Sequence, residues 1–160
     1  MSIARFEHVS EARYRTDMGE RQNCLPVAEI PLPRRATRGS AGYDFTCPVE
    51  TVIPAGGRAV IPTGIRCEME EGWVLLLFPR SGLGFRHQVR LSNTVGVIDS
   101  DYAFAENEGH IQVALRTPTD GDRVSARGER FCQGVFVPYG LAREEEPLPD
   151  RKGGMGSTGR

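Results

Sequence analysis

The chain of 160 residues has a single lysine, Lys152, among its 20 lysine and arginine side chains. Genomic base composition explains that skew more simply than function does. With 21 acidic side chains the formal net charge is -1. Such a chain carries no field that would draw duplex nucleic acid or an acidic membrane. Four cysteines, Cys24, Cys47, Cys67 and Cys132, are scattered without a close pair, so the CxxC spacing of a zinc site is missing. No apolar run is long enough to span a bilayer. Residues 1–10 carry Arg5, Glu7 and His8 where a signal peptide needs an apolar stretch. We therefore expect a reduced, cytoplasmic protein with neither nucleic acid nor membrane as partner.

Room for long helices is lacking too. Nineteen glycines and eleven prolines punctuate the chain. Between them lie short runs of β-formers at 27–30, 43–46, 58–61, 73–78, 111–115 and 131–137. Arg58-Ala59-Val60-Ile61 alternates, whereas Val74-Leu75-Leu76-Leu77-Phe78 is continuous and suits a strand buried on both faces. Short strands with turn signals between them predict an all-β sandwich or barrel, of which a jelly roll is one form. The length suits one domain, expected over residues 1–142. Residues 2–23 are polar and read as an extension, with 11–21 a short helix or a flexible arm. Residues 143–160 pass from Glu144-Glu145-Glu146 to a glycine-rich end that cannot bury an apolar face of its own. We expect a mobile arm there.

Three segments are suited to a triphosphate. Pro79-Arg80-Ser81-Gly82 follows the apolar run directly, and its arginine fork, hydroxyl and open amides can surround phosphate oxygens. An arginine in a structural ion pair fits the same fragment. Asp99 ends the run Val95-Gly96-Val97-Ile98, which holds a carboxylate at the lip of the core, where it can orient an attacking water. A turn aspartate capping backbone amides is the alternative. The glycine-rich segment 153–159 includes Met155, Gly156, Ser157 and Thr158, and is flanked by Arg151, Lys152 and Arg160. It offers close backbone approach, hydroxyls and cations, or else a disordered tail. It is not a Walker A loop.

Read together, the segments resemble the trimeric dUTP pyrophosphatase (dUTPase) family, which is recognised by five motifs in fixed order. Ala41-Gly42-Tyr43-Asp44-Phe45 is similar to the first motif and Pro79-Arg80-Ser81-Gly82-Leu83 to the second. Gly96-Val97-Ile98-Asp99-Ser100-Asp101-Tyr102, with Asn93 just ahead, is similar to the third. Gly128-Glu129-Arg130-Phe131-Cys132-Gln133 is similar to the fourth and 153–159 to the fifth. The likeness runs from about Arg34 to the C-terminus.

The resemblance implies a jelly-roll-type β-barrel and a homotrimer whose active sites lie between subunits, each closed by the glycine-rich arm of another subunit. It implies hydrolysis of dUTP to dUMP and pyrophosphate, which limits uracil in DNA and supplies dUMP for dTTP synthesis. Asp99 would align water for attack on the α-phosphorus. Mg²⁺ would neutralise the phosphates, its waters held by Asp44 and Gln133 rather than by direct ligation. Arg80, Ser81 and Gly82 would grip the phosphates, with Arg151, Gly156, Ser157 and Thr158 added from the arm. Asn93 and the strand around Val97 and Ile98 would read uracil. Tyr102 would pack under the deoxyribose and exclude a 2′-hydroxyl.

Three departures from the family pattern stand out. Residues 103–108 separate Tyr102 from Gly109 where one residue is usual, and we expect a hairpin extension there, with Phe104 anchoring it or touching a neighbour. Met155 stands where an aromatic usually covers the uracil. Arg151 sits one residue closer to the paired glycines than in the commonest form. Competing readings are a dCTP deaminase-like or bifunctional enzyme of the same fold, whose deaminating glutamate motif is not evident, and a nucleotide-switched regulatory protein with a partner at the insertion.

Overall fold

The computed structural model describes residues 2–118, 120–143, 148–149 and 151–153. Its strands are β1 (Ala4–His8), β2 (Arg34–Arg35), β3 (Tyr43–Thr46), β4 (Thr51–Ile53), β5 (Arg58–Pro62), β6 (Ile65–Met69), β7 (Trp73–Pro79), β8 (Arg90–Leu91), β9 (Gly96–Ile98), β10 (Gln112–Arg116), β11 (Arg123–Ser125) and β12 (Arg130–Pro138). Every pairing among them is antiparallel. Two short helices, α1 (Glu11–Met18) and α2 (Ser81–His87), interrupt the strands. The chain is all-β, of jelly-roll type.

A five-stranded sheet in the order β2-β3-β12-β7-β9 carries most of the motif residues. A three-stranded sheet, β5-β10-β8, and two-stranded pairs β1-β6 and β11-β4 complete the framework. Alternation builds the core, because successive side chains of a strand face opposite sides. Phe45, Ile61, Leu75, Leu77, Leu115 and Phe131 are all buried. The continuous apolar run behaves differently from expectation. Leu75 and Leu77 are buried, but Val74, Leu76 and Phe78 on the other face of β7 are only half-buried, so within one chain the strand is covered on one side.

The N-terminal segment packs onto the strands, and within 11–21 it forms the short helix rather than a flexible arm. Strand β1 pairs with β6 over its whole length, and Phe6 packs against Phe45, Tyr43 and Phe136 at centroid distances of 5.4–5.7 Å. Helix α1 starts where Ser10 Oγ accepts from the Arg13 amide at 3.1 Å, the hydrogen bond expected of an N-cap serine. The helix buries only Tyr14 and Met18, too few for its sequence to show an apolar stripe. Residues 27–30 are likewise not a strand. Val27–Glu29 is a 3₁₀ turn between Pro26 and Pro31, whose rings deny the ladder its donors.

Nor is the stretch after Tyr102 a hairpin. Ser100–Phe104 forms a 3₁₀ turn. The chain then reverses through Glu108 and Gly109, both left-handed at φ 60° and 68°. A Cβ on Gly109 would lie 2.6 Å from the Tyr102 carbonyl oxygen, so only glycine fits. Phe104 does not anchor the stretch, being 73% exposed. Among the described residues no helix is long and apolar enough to cross a membrane.

Candidate active site

Among the described residues, the predicted site residues fall into two groups along β7. The first surrounds the end of β9, which is the edge strand of the five-stranded sheet. Gly96 is required there, because a Cβ would meet Leu77 Cβ at 2.9 Å and push the strands apart. The strand delivers Asp99 to the N-cap position of the 3₁₀ turn, yet its side chain makes no capping bond. The carboxylate is thus not spent on backbone amides and stays about half exposed. It borders a cavity of about 620 Å³ also lined by Asn93, Gly96, Val97, Ile98 and Tyr102. Four of the residues read as a nucleoside pocket therefore share one cavity with Asp99.

Arg151 enters the same cavity. One nitrogen pairs with Asp99 Oδ2 and Nε donates to Asp101 Oδ1 at 2.8 Å, while the guanidinium lies 5.7 Å from the Tyr102 ring centroid. In this structure its partners are carboxylates of its own chain. Tyr102 itself is 3% exposed, and burial raises its phenol above the usual range, with Asn107 opposing.

The second group forms across β3, β12 and the end of β7. Gln133 stands opposite Asp44 on one side and Phe78 on the other. Asp44 is buried and pairs with Arg80 Nε at 3.1 Å and Arg130 Nη1 at 3.2 Å. Gln133 donates to the Pro79 carbonyl at 3.3 Å, and its Oε1 would lie 2.3 Å from a Cβ on Gly42. Arg80 is the N-cap of α2, so Ser81 and Gly82 occupy the first turn, where amides lack intrahelical acceptors. Deep beneath, burial pushes the Cys132 thiol up to about 12, leaving it protonated and unreactive.

Sequence reading passed over Arg130, Asp101, Asn107 and His110. Arg130 lies inside the fourth motif, and a register shift beside it brings it to Asp44; a charge opening an apolar strand was the available signal. Met155, Gly156, Ser157 and Thr158 lie outside the described residues.

The two groups do not meet within one chain. Extending the β7–β9 register places Asp99 beside Val74, six residues from Arg80. At about 3.3 Å per residue this separates Asp99 from Arg80 by about 20 Å of sheet.

An all-β sheet thus carries an edge-strand cavity and, farther along, a carboxylate held between two arginines. The dUTPase family matches residues 28–159. The deoxyuridine 5′-triphosphate nucleotidohydrolase of Lactococcus lactis is 43% identical over 136 residues, covering 82% of this chain and 90% of that protein. The crystal structure of the Streptococcus mutans dUTPase superposes with a TM-score of 0.68 at 39% identity, covering 86% of this chain and 97% of that one. A phage phi11 dUTPase described with a structural Mg(II) ion superposes with a TM-score of 0.66 at 18% identity, covering 92% of this chain and 98% of that one, a likeness of fold. The chain belongs to the dUTPase family, the dUTP diphosphatases.

Proposed function

We propose that this protein hydrolyses dUTP to dUMP and pyrophosphate, with Mg²⁺, in sites completed between the subunits of a homotrimer. The observation that carries the reading is Asp99, whose carboxylate is free of capping bonds and borders the cavity. In the reaction Asp99 orients a water and accepts its proton as the oxygen attacks the α-phosphorus. The bond from that phosphorus to the bridging oxygen breaks, dUMP keeps the water's oxygen, and pyrophosphate leaves with the bridging one. Uracil is read by Asn93 and the open edge of β9 at Val97 and Ile98, and the ribose face by Tyr102.

Arg80 and the first-turn amides of Ser81 and Gly82 grip the phosphates of a nucleotide seated in a neighbour's cavity. The arm residues Arg151, Gly156, Ser157 and Thr158 close over it, with Met155 against the base. The separation of about 20 Å between Asp99 and Arg80 in one chain supports this sharing. The half-buried face of β7 supports it too, as an apolar face that a second copy would cover.

The residues present fit a magnesium ion held through water. Among the described residues no group of three or more His, Cys, Asp or Glu side chains is placed to hold a metal, and Asp44 is occupied by two arginines. Asp44 and Gln133 stand opposite each other across β3 and β12, two acceptors suited to the waters of an ion that rests on substrate phosphates. Asp44 and Gln133 would hold those waters, and the ion would supply neutralisation of the departing pyrophosphate. We place the catalytic domain at residues 1–142, with 143–160 as the closing arm, in the cytoplasm, limiting uracil in DNA and supplying dUMP.

The test mixes pure protein and Mg²⁺ with dUTP, UTP, dTTP or dCTP and identifies the products. Formation of dUMP and pyrophosphate from dUTP alone is expected. Ammonia from dCTP, or no product from dUTP, would overturn the proposal.

A further inference from the structure

A buried tyrosine hydroxyl needs partners, and Tyr102 has two. It donates to the His110 carbonyl at 2.9 Å and accepts from Asn107 Nδ2 at 2.8 Å. The Asn107 amide is itself oriented, because its Oδ1 accepts from the Gly109 amide at 3.2 Å. Further contacts tie the reversal to the N-terminal segment and to Gly64. His110 is fully buried, accepts from the Gly64 amide through Nε2 at 2.8 Å, and donates from Nδ1 to Asp17 of α1 at 2.5 Å. Glu108 accepts from the amide and hydroxyl of Ser10 at 2.8 and 2.6 Å. The reversal at 107–110 and the start of α1 thus form one frame behind the tyrosine ring.

We propose that Asn107 is a positioning residue for sugar selection, holding Tyr102 so that its ring cannot retreat from a 2′-hydroxyl. This rests on reading the cavity as the nucleoside site. A wall excludes one extra oxygen only if it does not yield, and a displacement of about 1 Å is enough to admit it. The 3₁₀ turn fixes the Cα end of Tyr102, and the Asn107 amide fixes the hydroxyl end. Asn107 lies in the stretch that departs from the family motif, so no motif assigns it this task. The frame also gives the N-terminal segment a function: α1 holds His110, whose backbone carbonyl accepts the tyrosine hydrogen bond.

The test compares kcat/KM for dUTP and UTP in the full chain and in two variants. Asn107→Asp keeps an acceptor for the Gly109 amide, and with it the chain reversal, but cannot donate to Tyr102. Asn107→Ala loses both. We expect the dUTP-to-UTP ratio of kcat/KM to fall about tenfold in each, with kcat for dUTP changed less than about twofold. The melting temperature should hold in Asn107→Asp and fall in Asn107→Ala, so a merely structural role would spare the aspartate variant. A folded variant of either kind with the parental ratio overturns the proposal. A parental chain inert toward dUTP overturns the pocket reading beneath it, which is a different result.

Discussion

The guanidinium of Arg151 bridges Asp99 and Asp101 and lies over the ring of Tyr102. An arginine near the C-terminal end of the chain thereby occupies the cavity that the proposed reaction needs. Its side chain is 14% exposed, but both carboxylates are about half exposed, so solvent screens the pairing. For Arg151 to meet a phosphate it must exchange two carboxylates for another anion. Such an exchange between partners of like charge costs little electrostatic energy.

Replacing Arg151 by alanine leaves Asp99 and Asp101 facing a polyanionic substrate unneutralised. KM for dUTP should rise about tenfold, the loss of one charge-assisted contact, and the rise should be steepest at low salt. Steady-state kinetics at two ionic strengths measures it. A KM equal to the parent's at both would show that the pairing has no bearing on binding.

Asp99→Asn keeps the shape of the cavity rim but cannot accept a proton from water. Turnover should drop by about 10²–10⁴ while dUTP still binds. Pyrophosphate release and calorimetric titration separate the two effects. A variant that turns over at the parental rate would remove Asp99 from the mechanism.

Burial lowers the His110 pKa below its ordinary value of 6.5, with the Asp17 hydrogen bond opposing and nearby Arg13 adding to the lowering. The folded chain therefore binds fewer protons there than the unfolded one. The stability this neutral imidazole contributes is present above about pH 6.5 and lost as pH falls below it, by up to about 1.4 kcal/mol per pH unit. Urea midpoints between neutral and mildly acidic pH should show this slope, and His110→Gln should flatten it. Parallel slopes for parent and variant would assign the acid sensitivity to other groups.

Gly96→Ala adds a methyl 2.9 Å from Leu77 Cβ, with two further Leu77 carbons at 3.1 and 3.3 Å. The edge strand must move off β7, costing about 1–3 kcal/mol and shifting Asp99 with it. Melting temperature and kcat should fall together. Unchanged melting would mean that β9 adjusts without strain.

The strands at 43–46, 58–61, 73–78, 111–115 and 131–137 were legible because apolar patterning and turn residues agree there. All correspond to observed strands to within a residue or two. The fragments holding Asp99, Tyr102, Arg80 and Asp44 were legible as motifs. The N-terminal packing was not, since α1 hides its role in two buried residues on an otherwise polar surface. Residues 27–30 misled because β-propensity ignores the flanking prolines. The chain reversal through Glu108 and Gly109 eluded reading as well, because it depends on hydrogen bonds to Ser10, far away in sequence, and on local ones to the Tyr102 hydroxyl that no pattern marks. Distance along β7, which splits the site in two, emerges only from strand register.

On the proposed sharing of sites between subunits, that split has a genetic consequence. Two inactive chains, one lacking the carboxylate of Asp99 and the other the arginine at position 80, each retain what the other has lost. Coexpressed, they should assemble some sites that draw each intact part from a different parent, so activity returns from a mixture of two dead proteins.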